Sequence, residues 1–270
     1  RLFEDDGTEY RDVVTEGAHT NISILKNGEF ITAPLGHFIL PGIARSHLIG
    51  LCRANGIPVV ERYITRAELA AFITRAFGAT RTADISRLTD VSADDWFYLP
   101  VAKAYQMGAL TGTSDTTFDP SSYITREQVF LVLARVLCIS GTNEKALEKF
   151  TDAAQISSWA KNGVIGMVEK GYVNGYPNGS FRPQDNITRA ELAQVFHNIF
   201  KTYIDEPGYY SQVADGSVMI RVPGVHLENV TVNGDIVIAD GVANGDFDLS
   251  AVNVTGRVLA RGGEGKVTFK

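Results

Sequence analysis

Three arginines stand in one local setting. Arg66, Arg126 and Arg189 each follow Ile-Thr and precede, two residues on, a Glu or Gln. Each falls at the first position of an expected helix, where the positive end of the helix dipole disfavours a cation by up to ~1 kcal/mol. Helix formation therefore does not account for them. A single copy reads as a surface side chain whose long stem screens apolar neighbours. Three copies at one position point to anion binding, with helix N–H groups and a guanidinium converging on a carboxylate or phosphate.

The residues around each arginine set the helix that positions it. Thr65/Glu68, Thr125/Gln128 and Thr188/Glu191 have capping-box spacing, in which the hydroxyl and the acid or amide each satisfy a free backbone N–H. Counting from the Thr, apolar residues recur at the same five positions. They are Leu69, Phe72, Ile73, Ala76, Phe77; Val129, Val132, Leu133, Val136, Leu137; and Leu192, Val195, Phe196, Ile199, Phe200. Each set is one face of an amphipathic helix, and three such helices are expected to pack on one another.

The whole chain bounds the chemistry. Its 270 residues suffice for two domains and part of a third, and 44% hydrophobic with 21% charged residues describes a folded, soluble protein. A net charge of −6 without a basic run argues against nucleic acid as a partner. No apolar run is long enough for membrane insertion, and no signal-peptide pattern opens the chain. It starts at Arg1 and stops mid-pattern at Lys270, so it reads as a fragment. Cys52 and Cys138 are expected to be buried apolar residues, with no metal site.

Residues 1–63 differ from the rest. Val13-Val14-Thr15-Glu16-Gly17 leads into a strand at Ile22–Leu25, a Lys26–Glu29 turn holding Asn-Gly, and a second strand at Phe30–Thr32, which predicts a hairpin. An apolar helix through Leu48, Ile49, Leu51 and Cys52 ends at Asn55-Gly56, before a strand at Ile57–Arg62. This α/β stretch resembles the fold-type IV, pyridoxal-phosphate-dependent aminotransferases of the D-amino-acid and branched-chain group. The resemblance implies that Glu16 would face the pyridine nitrogen and that the Leu40-to-Ile43 turn, with Gly42, would offer N–H groups to the cofactor phosphate. The family's Schiff-base lysine lies upstream of Thr-Glu-Gly, and Lys26, in the hairpin turn, is the only lysine ahead of the helix repeats. Ala44 stands where a hydroxyl residue is common. The segment therefore reads as a remnant without catalysis or bound cofactor. Mixing the chain with pyridoxal phosphate is expected to give no aldimine absorbance, and a stoichiometric borohydride-trapped adduct would contradict this.

A longer unit surrounds the second and third arginines. Asp90, Trp96, Gly108–Gly112, Phe118-Asp119-Pro120 and Ile124-Thr125-Arg126 recur as Asp152, Trp159, Gly171–Gly175, Phe181-Arg182-Pro183 and Ile187-Thr188-Arg189. Each unit reads as a helix after Trp, a glycine turn, an extended loop and the capped helix. The pattern resembles the S-layer homology domain over about 64–200, with a partial first repeat at 64–87, a second at 88–149 and a third at 150–203. The resemblance implies a mainly α module with pseudo-three-fold symmetry that anchors bacterial surface proteins to the cell wall. The implied partner is a secondary cell-wall polysaccharide carrying pyruvate ketals. Its contacts would come from Arg66, Arg126, Arg189, Trp96 and Trp159, with Asp90 and Asp152 nearby. A Trp suits a sugar face but serves equally as a core aromatic, and the aspartates serve equally as helix caps. The first repeat lacks its Asp…Trp half, which leaves at least one inter-repeat groove incomplete.

A linker is expected at 204–223. Beyond it Val230 and Val252, Val232 and Val254, Gly234 and Gly256, and Ile236 and Val258 align 22 residues apart. This short period of strands and glycines predicts a truncated β-solenoid over 224–270. The chain as a whole is expected to be a non-enzymatic wall anchor on a bacterial surface, flanked by an α/β remnant and a solenoid tail.

Overall fold

The computed structural model describes residues 63–261, together with 23–26, 29–32, 55–56 and 59–61. Strand β1 (Ser23–Lys26) pairs antiparallel with β2 (Glu29–Thr32), with Lys26 opposite Glu29. Strand β3 (Val59–Glu61) lies parallel to β2.

The three capping boxes become three helices of eleven residues: α1 (Arg66–Ala76), α3 (Arg126–Val136) and α5 (Arg189–Ile199). The acid or amide reaches back to the Thr N–H at 2.9 Å from Glu68, 3.1 Å from Gln128 and 2.9 Å from Glu191. The isoleucines before the caps close a ring. Ile64 N–H donates to Ile187 O, Ile187 N–H to Ile124 O and Ile124 N–H to Ile64 O, each at 3.0 Å and all buried. This ring is the pseudo-three-fold centre, and the apolar stripes of the helices share one core below it. Two further helices follow the tryptophans: α2 (Tyr98–Gln106) packs on α1, and α4 (Ser158–Glu169) packs on α3. Among the described residues no helix plays that part for α5.

From Phe200 the chain is extended. Strands β4 (Phe200–Ile204), β6 (Ser217–Ile220), β9 (Ile236–Ile238) and β12 (Val258–Ala260) stack in parallel as one sheet. A second sheet stacks β5 (Gly208–Tyr210), β7 (Val225–Glu228) and β10 (Phe247–Ser250), and a third pairs β8 (Thr231–Val232) with β11 (Asn253–Val254). Partners such as Ile236 and Val258 are 22 apart, so the solenoid is present as expected. It begins a turn earlier than the period shows: Gly208 pairs with Val225 across a shorter first turn. The stretch expected to be a linker, 204–223, carries β5 and β6.

The expectation of a mainly α protein is corrected. The described residues hold five α-helices of nine to twelve residues and twelve strands. Each repeat spends much of its length on a glycine turn and an extended loop, and the described residues after α5 are strand, turn, loop or a single 3₁₀ turn. Cys138 is also exposed rather than buried, because it takes the left-handed position after α3, at φ 50°.

The solenoid sits on the C-terminal ends of the helices, where carbonyls lack partners and the dipole favours cations. Arg221 Nε donates to Arg75 O at 3.0 Å, Tyr203 Oη to Ala76 O at 2.7 Å and Gly241 N–H to Phe77 O at 2.8 Å. Arg257 donates to Cys138 O and Leu137 O, and Arg261 to Val136 O and Met107 O. A Cβ on Gly241 would lie 2.3 Å from Arg221 O, so this contact requires glycine. Asp235 anchors Arg257 with a 2.7 Å ion pair. Burial pushes the Asp235 carboxyl up, but the Arg257 hydrogen bonds outweigh it and hold the group below its usual range.

Candidate functional site

The structure separates the three arginines. Arg126 is 1% exposed: Nη1 pairs with Glu191 Oε1 at 2.9 Å, and Nε donates to Phe181 O at 3.1 Å. Its guanidinium lies over the Tyr176 and Phe130 rings. Arg66, 7% exposed, donates to Phe118 O and Thr111 O and lies over the Phe118 ring. Burial pushes its pKa down, against the pull of Asp119, Tyr105 and Asp90. The first helix N–H groups are also occupied: Arg66 and Ala67 donate to Ser122 O and Pro120 O, and Arg126 and Glu127 to Asp185 O and Pro183 O. These two arginines bind internal carbonyls and an internal carboxylate, and their hydrogen bonds do not face solvent. Arg189 differs, with a side chain 55% exposed and its Nη2 on Glu68 Oε1 at 2.5 Å.

Asp90 and Asp152 are also committed inside. Asp90 accepts the N–H groups of Phe118 and Asp119, and Asp152 those of Phe181 and Arg182. Asp119 and Arg182 hold φ values of 60° and 53°, which cost free energy in non-glycine residues. Each aspartate fixes the strained loop whose Phe carbonyl receives an arginine. Trp96 and Trp159 are 61% and 54% exposed, so neither is a core aromatic.

The helix faces explain why Arg189 is open. Leu69, Ala70, Ile73, Thr74 and Phe77 share a face with Arg66 on α1, and all are buried. Val129, Phe130, Leu133, Ala134 and Leu137 do the same beside Arg126 on α3. The equivalent residues of α5 are Leu192, Ala193, Phe196, His197 and Phe200. Among them Ala193 and His197 are exposed and Phe196 is half-buried. On α1 and α3 the face is covered by the helix and Phe-x-Pro loop of the next unit. The unit that would cover α5 is the half-repeat missing before Ile64.

What remains is a groove of about 1170 Å³ between α1 and α5. Its lining includes Trp96 and the paired Glu68 and Arg189, and Phe72 and Phe196 form walls with rings 5.3 Å apart. Arg75, Lys201, Tyr203 and Arg221 line the end toward the solenoid. Of the residues expected at a ligand, Arg66 and Arg126 are turned inward, while Trp96 and Arg189 both line this groove. The solenoid contribution has no signal in the helix repeats, although a cation such as Arg75 in a last helical turn is a recognisable feature. Glu16, Leu40, Gly42 and Ile43 lie outside the described residues. Among the described residues no helix is long and apolar enough to cross a membrane, and no cluster of His, Cys, Asp and Glu could hold a metal ion.

Residues 87–130 and 149–193 match the S-layer homology domain, and residues 2–80 match amino-transferase class IV. The second match runs through α1, past the boundary at 63 read from the sequence. The chain is 32% identical over 146 residues to the surface-layer 125 kDa protein of Lysinibacillus sphaericus, covering 53% of this chain and 12% of that protein. It is 32% identical over 148 residues to the cellulosome-anchoring protein of Acetivibrio thermocellus, covering 53% and 33%. It is also 32% identical over 79 residues to the D-alanine aminotransferase of Bacillus licheniformis, covering 29% and 28%. The chain thus spans a third or less of each relative's length, and both resemblances read from the sequence are borne out.

Proposed function

We propose that this chain, which carries two S-layer homology domains behind a class IV aminotransferase-like segment, attaches a surface protein non-covalently to the bacterial cell wall. Its ligand is an acidic wall polysaccharide bearing pyruvate ketals, held in the groove between α1 and α5. The observation that carries this reading is the meeting of exposed Trp96 and exposed Arg189 in one open groove. The indole offers a flat apolar face to a sugar ring, and the guanidinium fork suits a ketal carboxylate. Glu68 Oε1 accepts from one nitrogen of the fork, competing with a ligand carboxylate for it, while its Oε2 caps α1. The names of the cellulosome-anchoring and surface-layer relatives support a cell-surface anchoring assignment. The class IV match favours a second reading, a segment of an aminotransferase, which the pyridoxal phosphate trapping above tests.

Replacing Arg189 with Ala is expected to weaken polymer binding roughly ten- to hundred-fold, the worth of a charge-assisted bond of about 1.5–3 kcal/mol. Stability should move by ~1 kcal/mol or less, because the ion pair it breaks is half exposed. Lys should rescue partly, keeping the charge and losing the fork. Pull-down on native wall polymer against polymer stripped of pyruvate checks the ligand, and equal retention on both would refute the ketal. Glu68→Gln makes a separate test. Gln still caps, as Gln128 does on α3, but the rival carboxylate is gone, so acidic polymer should bind more tightly with stability changed by less than ~1 kcal/mol.

A further inference from the structure

We infer that the groove reads its polymer at two separated points, the second being a cationic end built jointly by the helical repeats and the solenoid from Arg75, Lys201 and Arg221. This rests on the wall-polymer reading above and adds a subsite to it. Arg75 stands in the last turn of α1, Lys201 follows the start of β4, and Arg221 follows β6. The bond from Arg221 Nε to Arg75 O ties the Arg221 side chain to the α1 backbone and uses no atom of the Arg75 side chain. Among the described residues none of the three side chains is in an ion pair. Among the described residues Glu68 is the one carboxylate lining the groove, and it is engaged with Arg189 at the other end. Asp205, close enough to act on Tyr203, does not line it.

Among the described lining residues, four cations against one carboxylate is not what a chain of net charge −6 places in a groove by its average composition. Their spacing matters as much as their number. Twelve residues separate Arg189 from Lys201, so the two ends lie about 15–18 Å apart at the helical rise of ~1.5 Å per residue. Phe72, Leu192, Ala193 and Phe196 line the span between them and suit the less polar faces of sugar rings. A single acidic sugar cannot touch both ends. A polymer with acidic groups repeated along it can, and its second contact gains from the first through effective concentration.

The test uses the full chain, Arg75→Gln and Lys201→Gln singly and together, and two probes: purified pyruvylated wall polysaccharide and a fragment of it with one acidic group. Both side chains are exposed, and the Arg75 carbonyl keeps its bond to Arg221, so unchanged melting is expected. The double variant should bind polymer about tenfold more weakly, with a smaller response to salt, and bind the one-acid fragment like wild type. Polymer binding unchanged in the double variant, with Arg189→Ala still damaging, would overturn the second point and leave the wall reading intact. An equal loss with the fragment would also overturn it, by making the cations part of one small site. Wild type that ignores the polymer would overturn both.

Discussion

Replacing Arg126 with Ala is expected to destabilise the protein by about 3–5 kcal/mol. The side chain and its partner are 1% and 3% exposed, so Glu191 would be left as a buried, uncompensated carboxylate. Glu191 keeps the Tyr176 hydroxyl at 2.5 Å and its bonds to the Thr188 N–H, which soften the loss without neutralising the charge. Burial raises the Tyr176 pKa far above its usual value, so this hydroxyl stays a neutral donor. The pair also joins α3 to the start of α5, and Nε of the same arginine ties in the Phe181 loop. Urea unfolding of Arg126→Ala beside Arg189→Ala measures the contrast at two equivalent positions. A double replacement, Arg126→Met with Glu191→Gln, should recover much of the loss, since removing both charges leaves none unpaired. Losses at Arg126 and Arg189 within ~1 kcal/mol of each other would sink the distinction between a buried strut and an open fork.

Cutting Leu133 to Ala should cost ~2–5 kcal/mol, and cutting Phe196, its counterpart in the repeat, should cost clearly less. Leu133 is fully buried on α3, the helix that α4 packs against, so truncation leaves a cavity that surrounding atoms cannot fill. Phe196 is half-buried on the uncovered face of α5, touching Phe72, Phe200 and Tyr203 by ring edges, and water can enter where its ring was. Thermal or urea denaturation of both variants decides. Equal, large losses would mean that the α5 face is covered as fully as its counterparts.

The elements were legible because their signals are local. Thr followed by Glu or Gln starts α1, α3 and α5, and the 22-residue spacing of Ile236 and Val258 appears directly as strand register. The site was half legible for a physical reason. Arg66, Arg126 and Arg189 share a motif, but their fates depend on distant residues: the Phe118 and Phe181 carbonyls, Glu191, and a half-repeat that is missing. Gln128 shows how little changes the outcome, for it is the neutral counterpart of Glu68 and Glu191. Arg66 instead takes the carbonyl of Thr111. Arg221, Arg257 and Arg261 belong to rungs, and nothing in their neighbours announces that helix ends lie opposite them.

The ring of isoleucines has a mechanical consequence. Ile187, just ahead of α5, is bonded to Ile64, just ahead of α1, and α5 passes into β4 without slack. A load drawn through the solenoid enters the helices along α5 and through the arginine clamps on α1 and α3 at once. The three ring bonds then resist in shear and together, where a tether ending on one helix would load them one after another.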